Sequence, residues 1–324
     1  MTSDFTMNPR PVKTDQKRLP KKARAKKPPV FRITDRDVLL LKAACKHRYL
    51  TVDQIAWLFP DSSSRGLENR LRYLFHNKYL NRIILHESVS HKLIYTMTEK
   101  AARLIADRDN ISRQEVPWQR HLNQISMSHI MHLLEVNSAV ISLQSALSEA
   151  KDKKRIIESK VFLGVPEAHK LTVTLIDQDG HRYNSSVVPD AVVGILFPNK
   201  EIGMFFVEVD RATMTVARWQ TKTIVYREYS RSPELKERFK TNWFIVLTIT
   251  TSEKRVMSLA QSSVAVGGIR AFWYTTADRI KPDSILSPIW VRAGYLFQIR
   301  NERISQLADF KNCQRLNILD TVGA

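Results

Sequence analysis

Cysteine is nearly absent from this chain of 324 residues. Cys45 and Cys313 alone exclude a disulfide framework and a CxxC zinc site, and they suit a reducing compartment. Glycine is scarce, nine in all, and no Gly-rich phosphate loop occurs, so nucleotide hydrolysis has no support. Apolar runs such as Ala191–Phe197 fall far short of a bilayer's thickness. The charged N-terminus lacks the apolar stretch of a secretory signal. The expectation is a soluble cytoplasmic protein without membrane contact.

Acid is the other shortage. Thirty-two Asp and Glu stand against 51 Lys and Arg, a formal net charge of +19 and a pI near 10.0. The excess is spread along the whole chain, which suits a polyanionic partner touching several parts of it. Residues 1–30 concentrate nine cations and five prolines without apolar periodicity. They read as a disordered basic arm, with Lys21, Lys22, Arg24, Lys26 and Lys27 free to lie on phosphates.

Order is expected from Thr34-Asp35-Arg36-Asp37, a capping-box start, followed by a helix to about Tyr49. A second helix opens at Thr51. A third follows Ser62-Ser63-Ser64, with Leu67, Leu71, Leu74 and Phe75 on its apolar face. Its opposite face carries Arg65, Asn69, Arg72 and His76. Two alternating runs, Arg82–Leu85 and Lys92–Met97, predict a hairpin. Three helices then a hairpin is the order of a winged helix-turn-helix over residues 31–112, whose third helix enters the major groove of double-stranded DNA. Arg and Asn there suit guanine and adenine edges. The alternative is an ordinary solvated helix face.

A closing helix from Thr98 and a polar linker over 107–117 precede a long helix, Gln124–Ala150. Strands are expected at 155–162, 171–176, 186–197, 204–210, 243–250 and 270–275, with helices from Thr213 to Tyr229 and Glu253 to Val266. They give a second domain over 118–300 and a C-terminal tail over 301–324. The fold class is α+β.

Within this second domain three carboxylates interrupt apolar strands: Asp190 in Val188-Pro189-Asp190-Ala191, and Glu208 and Asp210 in Phe206-Val207-Glu208-Val209-Asp210. Buried acids face a cation, a metal or a donor network. Three on adjacent strand edges suit Mg²⁺ or Mn²⁺. The alternative is a structural network with Arg211 or Lys222. His129, on the apolar stripe of the long helix, reads as a core histidine. His132 and Glu135 share a helical face but lack a third ligand for zinc, and Glu135 has the further option of joining the carboxylates.

The pattern resembles the core of PD-(D/E)XK nucleases, with Pro189-Asp190 and Glu208-Val209-Asp210 at the positions of the metal acids. It also resembles the replication-relaxation family of plasmids and integrative elements, related to one group of mobilization relaxases. That likeness rests on Tyr95-Thr96-Met97-Thr98, Ser128-His129-Ile130, Pro189-Asp190-Ala191, Phe206 to Thr213 and Lys222-Thr223-Ile224-Val225-Tyr226, and runs from about residue 32 to 275. The resemblance implies a winged helix joined to a nuclease-like core in a bacterial cytoplasm. It further implies an origin-type DNA site, nicking or cleavage with a divalent metal, and other replication or mobilization proteins or a second copy as partners. Asp210 stands where the superfamily has its lysine. Lys222 is the substitute, and Tyr226 is either a nucleophile for a covalent DNA link or a residue packed beside Lys222 on the inward helical face. The competing expectation is a DNA-binding accessory factor with a degenerate core.

Overall fold

The computed structural model describes residues 19–20, 23–86, 91–119, 125–163, 170–300 and 303–321. Lys21, Lys22 and the first eighteen residues of the arm lie outside them. Thr34 caps α1 (Asp35–His47) with a full capping box, and Thr51 does the same for α2 (Val52–Leu58) beyond the short strand β1 (Leu50–Thr51). Ser63 caps α3 (Ser64–His76). Strand β2 (Leu80–His86) pairs antiparallel with β3 (His91–Met97), and β1 adds to the far side of β3. Helix α4 (Glu99–Asp109) closes this N-terminal unit over a core that includes Leu41, Leu50, Leu71 and Leu74.

Two expectations change here. The basic segment from Arg24 onward is packed, not loose. Arg24 donates to the Leu80 carbonyl and Asn81 Oδ1, and Phe31 stacks beside Tyr73 and Tyr79. Its aromatic and guanidinium contacts supply the surface that composition alone does not reveal; Lys26 and Lys27 stay exposed. Residues 107–117 are likewise not a free linker. Arg113 grips Glu99 and the Trp118 carbonyl, and Val116 and Trp118 are buried in the N-terminal core.

Helix α5 (Met127–Asp152) belongs to both units. Asn137 bonds to the carbonyls of His47 and Tyr49, and Gln54 reaches the Leu134 carbonyl and Ser138. Its length and apolar character would allow a membrane span by composition alone, but most of it is buried in the fold. Its other faces cover a mixed sheet.

That sheet is built from β4 (Glu158–Leu163), β7 (Ala191–Leu196), β8 (Ile202–Asp210), β9 (Phe244–Thr250), β10 (Phe272–Thr276) and β11 (Val291–Arg292), in the order β11-β10-β9-β8-β7-β4. The pairs β8–β9 and β9–β10 are parallel and the rest antiparallel. A hairpin, β5 (Leu171–Ile176) with β6 (Arg182–Val187), precedes β7. The single strand expected over 186–197 is thus two, because Pro189 has no N–H to continue a ladder.

Alternate residues of β8 face opposite layers. Phe205, Val207 and Val209 meet α5, while Phe206 and Glu208 turn toward α6 (Val216–Tyr229). Helix α7 (Pro233–Phe239) and α8 (Glu253–Ala265) join that second layer. The chain then forms α9 (Ala293–Leu296) and a hairpin of β12 (Phe297–Arg300) with β13 (Arg303–Gln306). The expected tail is part of the core: Phe310 and Ile318 are buried, and Trp290 pairs with Leu316.

Candidate functional site

Pairing Ala191 with Val207 puts Asp190 opposite Glu208 where β7 begins and β8 ends. The Asp190 amide still donates to the Val207 carbonyl at 2.9 Å, so the backbone holds this edge in register past Pro189. The Asp190 carboxylate turns across the strand end. Oδ2 accepts from the Val209 amide at 2.8 Å, and Oδ1 lies 3.0 Å from His132 Nε2 on α5.

Glu208 is buried. Lys222 Nζ lies 2.6 Å from its Oε2, and the Tyr226 hydroxyl donates to Oε1 at 2.7 Å. Those two residues sit one turn apart on α6, which begins at Val216, under the cap of Thr215. Lys222 is therefore less than two turns from the helix start, and its stem spans the gap to the strand. Burial raises the Glu208 carboxyl, with the neighbouring Asp190 adding to it and Lys222 opposing. Burial works against the Lys222 ammonium, yet attraction from Glu208 leaves it above its ordinary range. The pair is closed off from solvent on the Glu208 side.

Asp210 departs from the expected metal set. Arg255 holds it from both sides, Nε to Oδ2 at 2.7 Å and Nη2 to Oδ1 at 3.1 Å, and Thr250 and the Ala212 amide also donate to Oδ2. Four donors already engage this buried carboxylate, three of them on Oδ2, so an ion there would have to displace Arg255. The carboxylate's bond to the Ala212 amide accompanies that residue's left-handed backbone, φ 59°. Among the described residues, the trio of His, Asp and Glu side chains with mutually close ligand atoms is Asp177, Asp179 and His181, exposed on the β5–β6 turn and away from this edge. Asp190 and Glu208 have the chemistry for a divalent ion, and each is now held by a basic side chain, His132 on Asp190 and Lys222 on Glu208.

Tyr226 is wholly buried among Phe206, Phe244 and Phe272, and burial followed by Glu208 keeps its hydroxyl protonated. Its expected part as a nucleophile gives way to that of a donor orienting Glu208. His129 is exposed, not in the core, because the first turn of α5 projects beyond the sheet. With His132, Ser126, Ser128, Arg211 and Thr213 it lines a cavity of about 300 Å³ beside Asp210. Glu135 is turned to Arg211 at 3.0 Å instead of joining the other acids. The Asp190 hydrogen bond holds the His132 imidazole above its usual range.

On α3, Arg65 is exposed and Arg72 donates to Asn69 Oδ1 at 2.7 Å. His76 is not on this surface. It is buried, and its Nδ1 accepts from the Ala25 amide because the arm segment crosses the helix end there. Burial and the guanidiniums of Arg82, Arg24 and Arg72 keep it neutral.

Two features were missed by sequence reasoning: Arg255 and the Asp190–His132 pair. Parallel β8 and β9 end side by side, so the first turn of the following helix, Glu253-Lys254-Arg255, falls over Asp210.

A helix-rich N-terminal unit with a three-stranded sheet, joined through a shared helix to a mixed sheet with an acidic edge, defines an α+β protein with a charged strand terminus. A family model described as Replication-relaxation matches residues 41–242, from α1 to the approach of β9. The chain belongs to the replication-relaxation family, which assigns it a role in the replication and relaxation of mobile elements. No curated protein and no solved structure matches the chain.

Proposed function

We propose that this chain is a DNA-associated protein of a bacterial mobile element that recognises an origin-type site in double-stranded DNA and nicks one strand at the Asp190–Glu208 edge. In this reading the N-terminal unit is a winged helix. What supports it is the order of three helices and the β1-β3-β2 sheet, with Arg65 exposed and Asn69 and Arg72 half-exposed on α3. The second unit is a PD-(D/E)XK-like core, the two units sharing α5.

The observation that carries the catalytic half is Lys222 Nζ at 2.6 Å from Glu208, opposite Asp190. A lysine from the following helix restores the acid–acid–lysine set that Asp210 interrupts. Asp190 and Glu208 are the residues that would hold Mg²⁺ or Mn²⁺. Such an ion, when bound, supplies charge to a phosphoryl oxygen and acidity to a water. Lys222 then faces the attacked phosphate and offsets its developing charge. Tyr226 keeps Glu208 aimed, and His132 holds Asp190 at the cavity mouth.

A second reading has its own support: the carboxylate oxygens of Asp190, Glu208 and Asp210 all have protein partners. This favours a non-catalytic binding factor. Incubating supercoiled plasmid carrying the element's own origin with Mg²⁺, Mn²⁺ or EDTA separates the two. Nicked circles are expected with metal only, and Asp190→Asn and Lys222→Gln should each lower the rate by roughly a hundredfold or more. Origin binding without nicking in either metal leaves the binding factor standing.

A further inference from the structure

The sheet end opposite the carboxylates has a different character. Because β8, β9 and β10 run parallel, Glu201, Trp243 and Ala271 gather there, roughly 25 Å from Asp210 by strand rise. They border a cavity of about 830 Å³, lined also by Asn242, Arg270, Trp273 and Arg292. Trp243 is half-buried. Its ring lies so close to Gly203 that a Cβ there would come within 2.7 Å of Cη2, and Phe205 meets it edge-on at 6.0 Å. The indole is thus fixed from behind while it lines the cavity. Arg270 is exposed at the rim. Arg292 stands 5.0 Å from the Tyr295 ring and 5.9 Å from Trp273, with a buried Nε that has no hydrogen-bond partner among the described residues. One acid, Glu201, lines the cavity against these two guanidiniums.

We propose that this cleft binds a single nucleic-acid strand, with a base stacked on Trp243 and its flanking phosphates on Arg270 and Arg292. The volume is that of a site for a nucleotide-sized group. A base offers a flat π-face to an indole and phosphates to guanidiniums, whereas duplex bases are already stacked on one another. The proposal shares the nucleic-acid partner of the reading above but is independent of the carboxylate edge.

The test is fluorescence anisotropy of the full chain with an end-labelled single strand of twelve thymidines. Trp243→Leu is expected to weaken binding about tenfold or more, and Trp243→Phe to retain most of it. Arg270→Ala with Arg292→Ala should reduce the slope of log affinity on log salt by about 1.4, for two lost phosphate contacts. Photocrosslinking of an iodouridine-containing strand should fall within residues 241–254. Duplex affinity should be unchanged in all three variants, and Asp190→Asn should keep strand binding while losing any nicking. Wild-type affinity in both Trp243→Leu and the double arginine variant would overturn the proposal. So would an equal loss for strand and duplex. Thymidine monophosphate that competes as well as the strand, nucleotide for nucleotide, would make this a free-nucleotide site and overturn the strand assignment.

Discussion

Helix α3 and the acidic end of β8 both carry charge, and they treat it oppositely. On α3, Arg65 is exposed, and Arg72 donates to the neutral amide of Asn69. At the strand end each cation has a carboxylate, Lys222 with Glu208, Arg255 with Asp210 and Arg211 with Glu135, and the His132 imidazole is bonded to Asp190. The first surface keeps its charge available to an outside polyanion. The second spends its charge internally, so a ligand there must exchange one pair for another. In the proposed function, attraction over distance and chemistry at contact would thus fall to different regions.

The contrast can be broken most strongly at Arg255. Arg255→Met leaves Asp210 buried without its main partner, and the expected loss is about 3–5 kcal/mol in denaturant unfolding. A loss under about 1 kcal/mol would show that Asp210 is not committed to this pair.

The next effect lies between the regions. His47 is buried against Asn137, whose Oδ1 accepts from Nδ1–H, and burial lowers its pKa to about 4 from an ordinary 6.5. The folded state therefore prefers the neutral ring, while the unfolded chain takes up a proton first. Stability is fully present above pH 6.5 and falls by about 3 kcal/mol as the pH drops through about 4. His47→Gln should flatten that limb of the stability–pH curve, and an unchanged slope would assign it to other groups.

The smallest effect on folding belongs to α3. Asn69→Ala and Arg72→Ala should each cost roughly 1–3 kcal/mol of binding at the preferred DNA site. Neither residue is buried, so thermal unfolding should stay within about 0.5 kcal/mol of wild type. Footprints that keep their sequence preference would move recognition to another surface.

Elements with strong local signals were legible in the sequence. Thr34, Thr51 and Ser63 announce their helices, and α5, β5, β8, α6, β9 and α8 fall within a few residues of expectation. The acidic positions were legible because a carboxylate inside an apolar strand demands an explanation. Their partners were not, since pairing depends on the parallel register of β8 with β9 and on the crossing of α5. Arg255 is 45 residues from Asp210, and His132 is 58 from Asp190. The arm and the C-terminal segment misled for the opposite reason. A polar, proline-rich arm and a polar C-terminal stretch look unable to order themselves, yet Arg24, Phe310 and Ile318 find ready-made surfaces on elements folded elsewhere.

Helix α5 has a consequence for the DNA. Asn137 is bonded to the N-terminal unit and His132 to Asp190, five residues apart on one rigid rod, roughly 7.5 Å by rise. There is no hinge between them to take up slack. Under the function proposed above, with α3 reading the site and Asp190 meeting the phosphate, the protein would work as a fixed caliper, the number of base pairs between the two being set by the fold. An origin lengthened by one base pair there shifts the phosphate by about 3.4 Å and rotates it around the duplex, out of phase with the carboxylates. Such an origin should still be bound while escaping the nick.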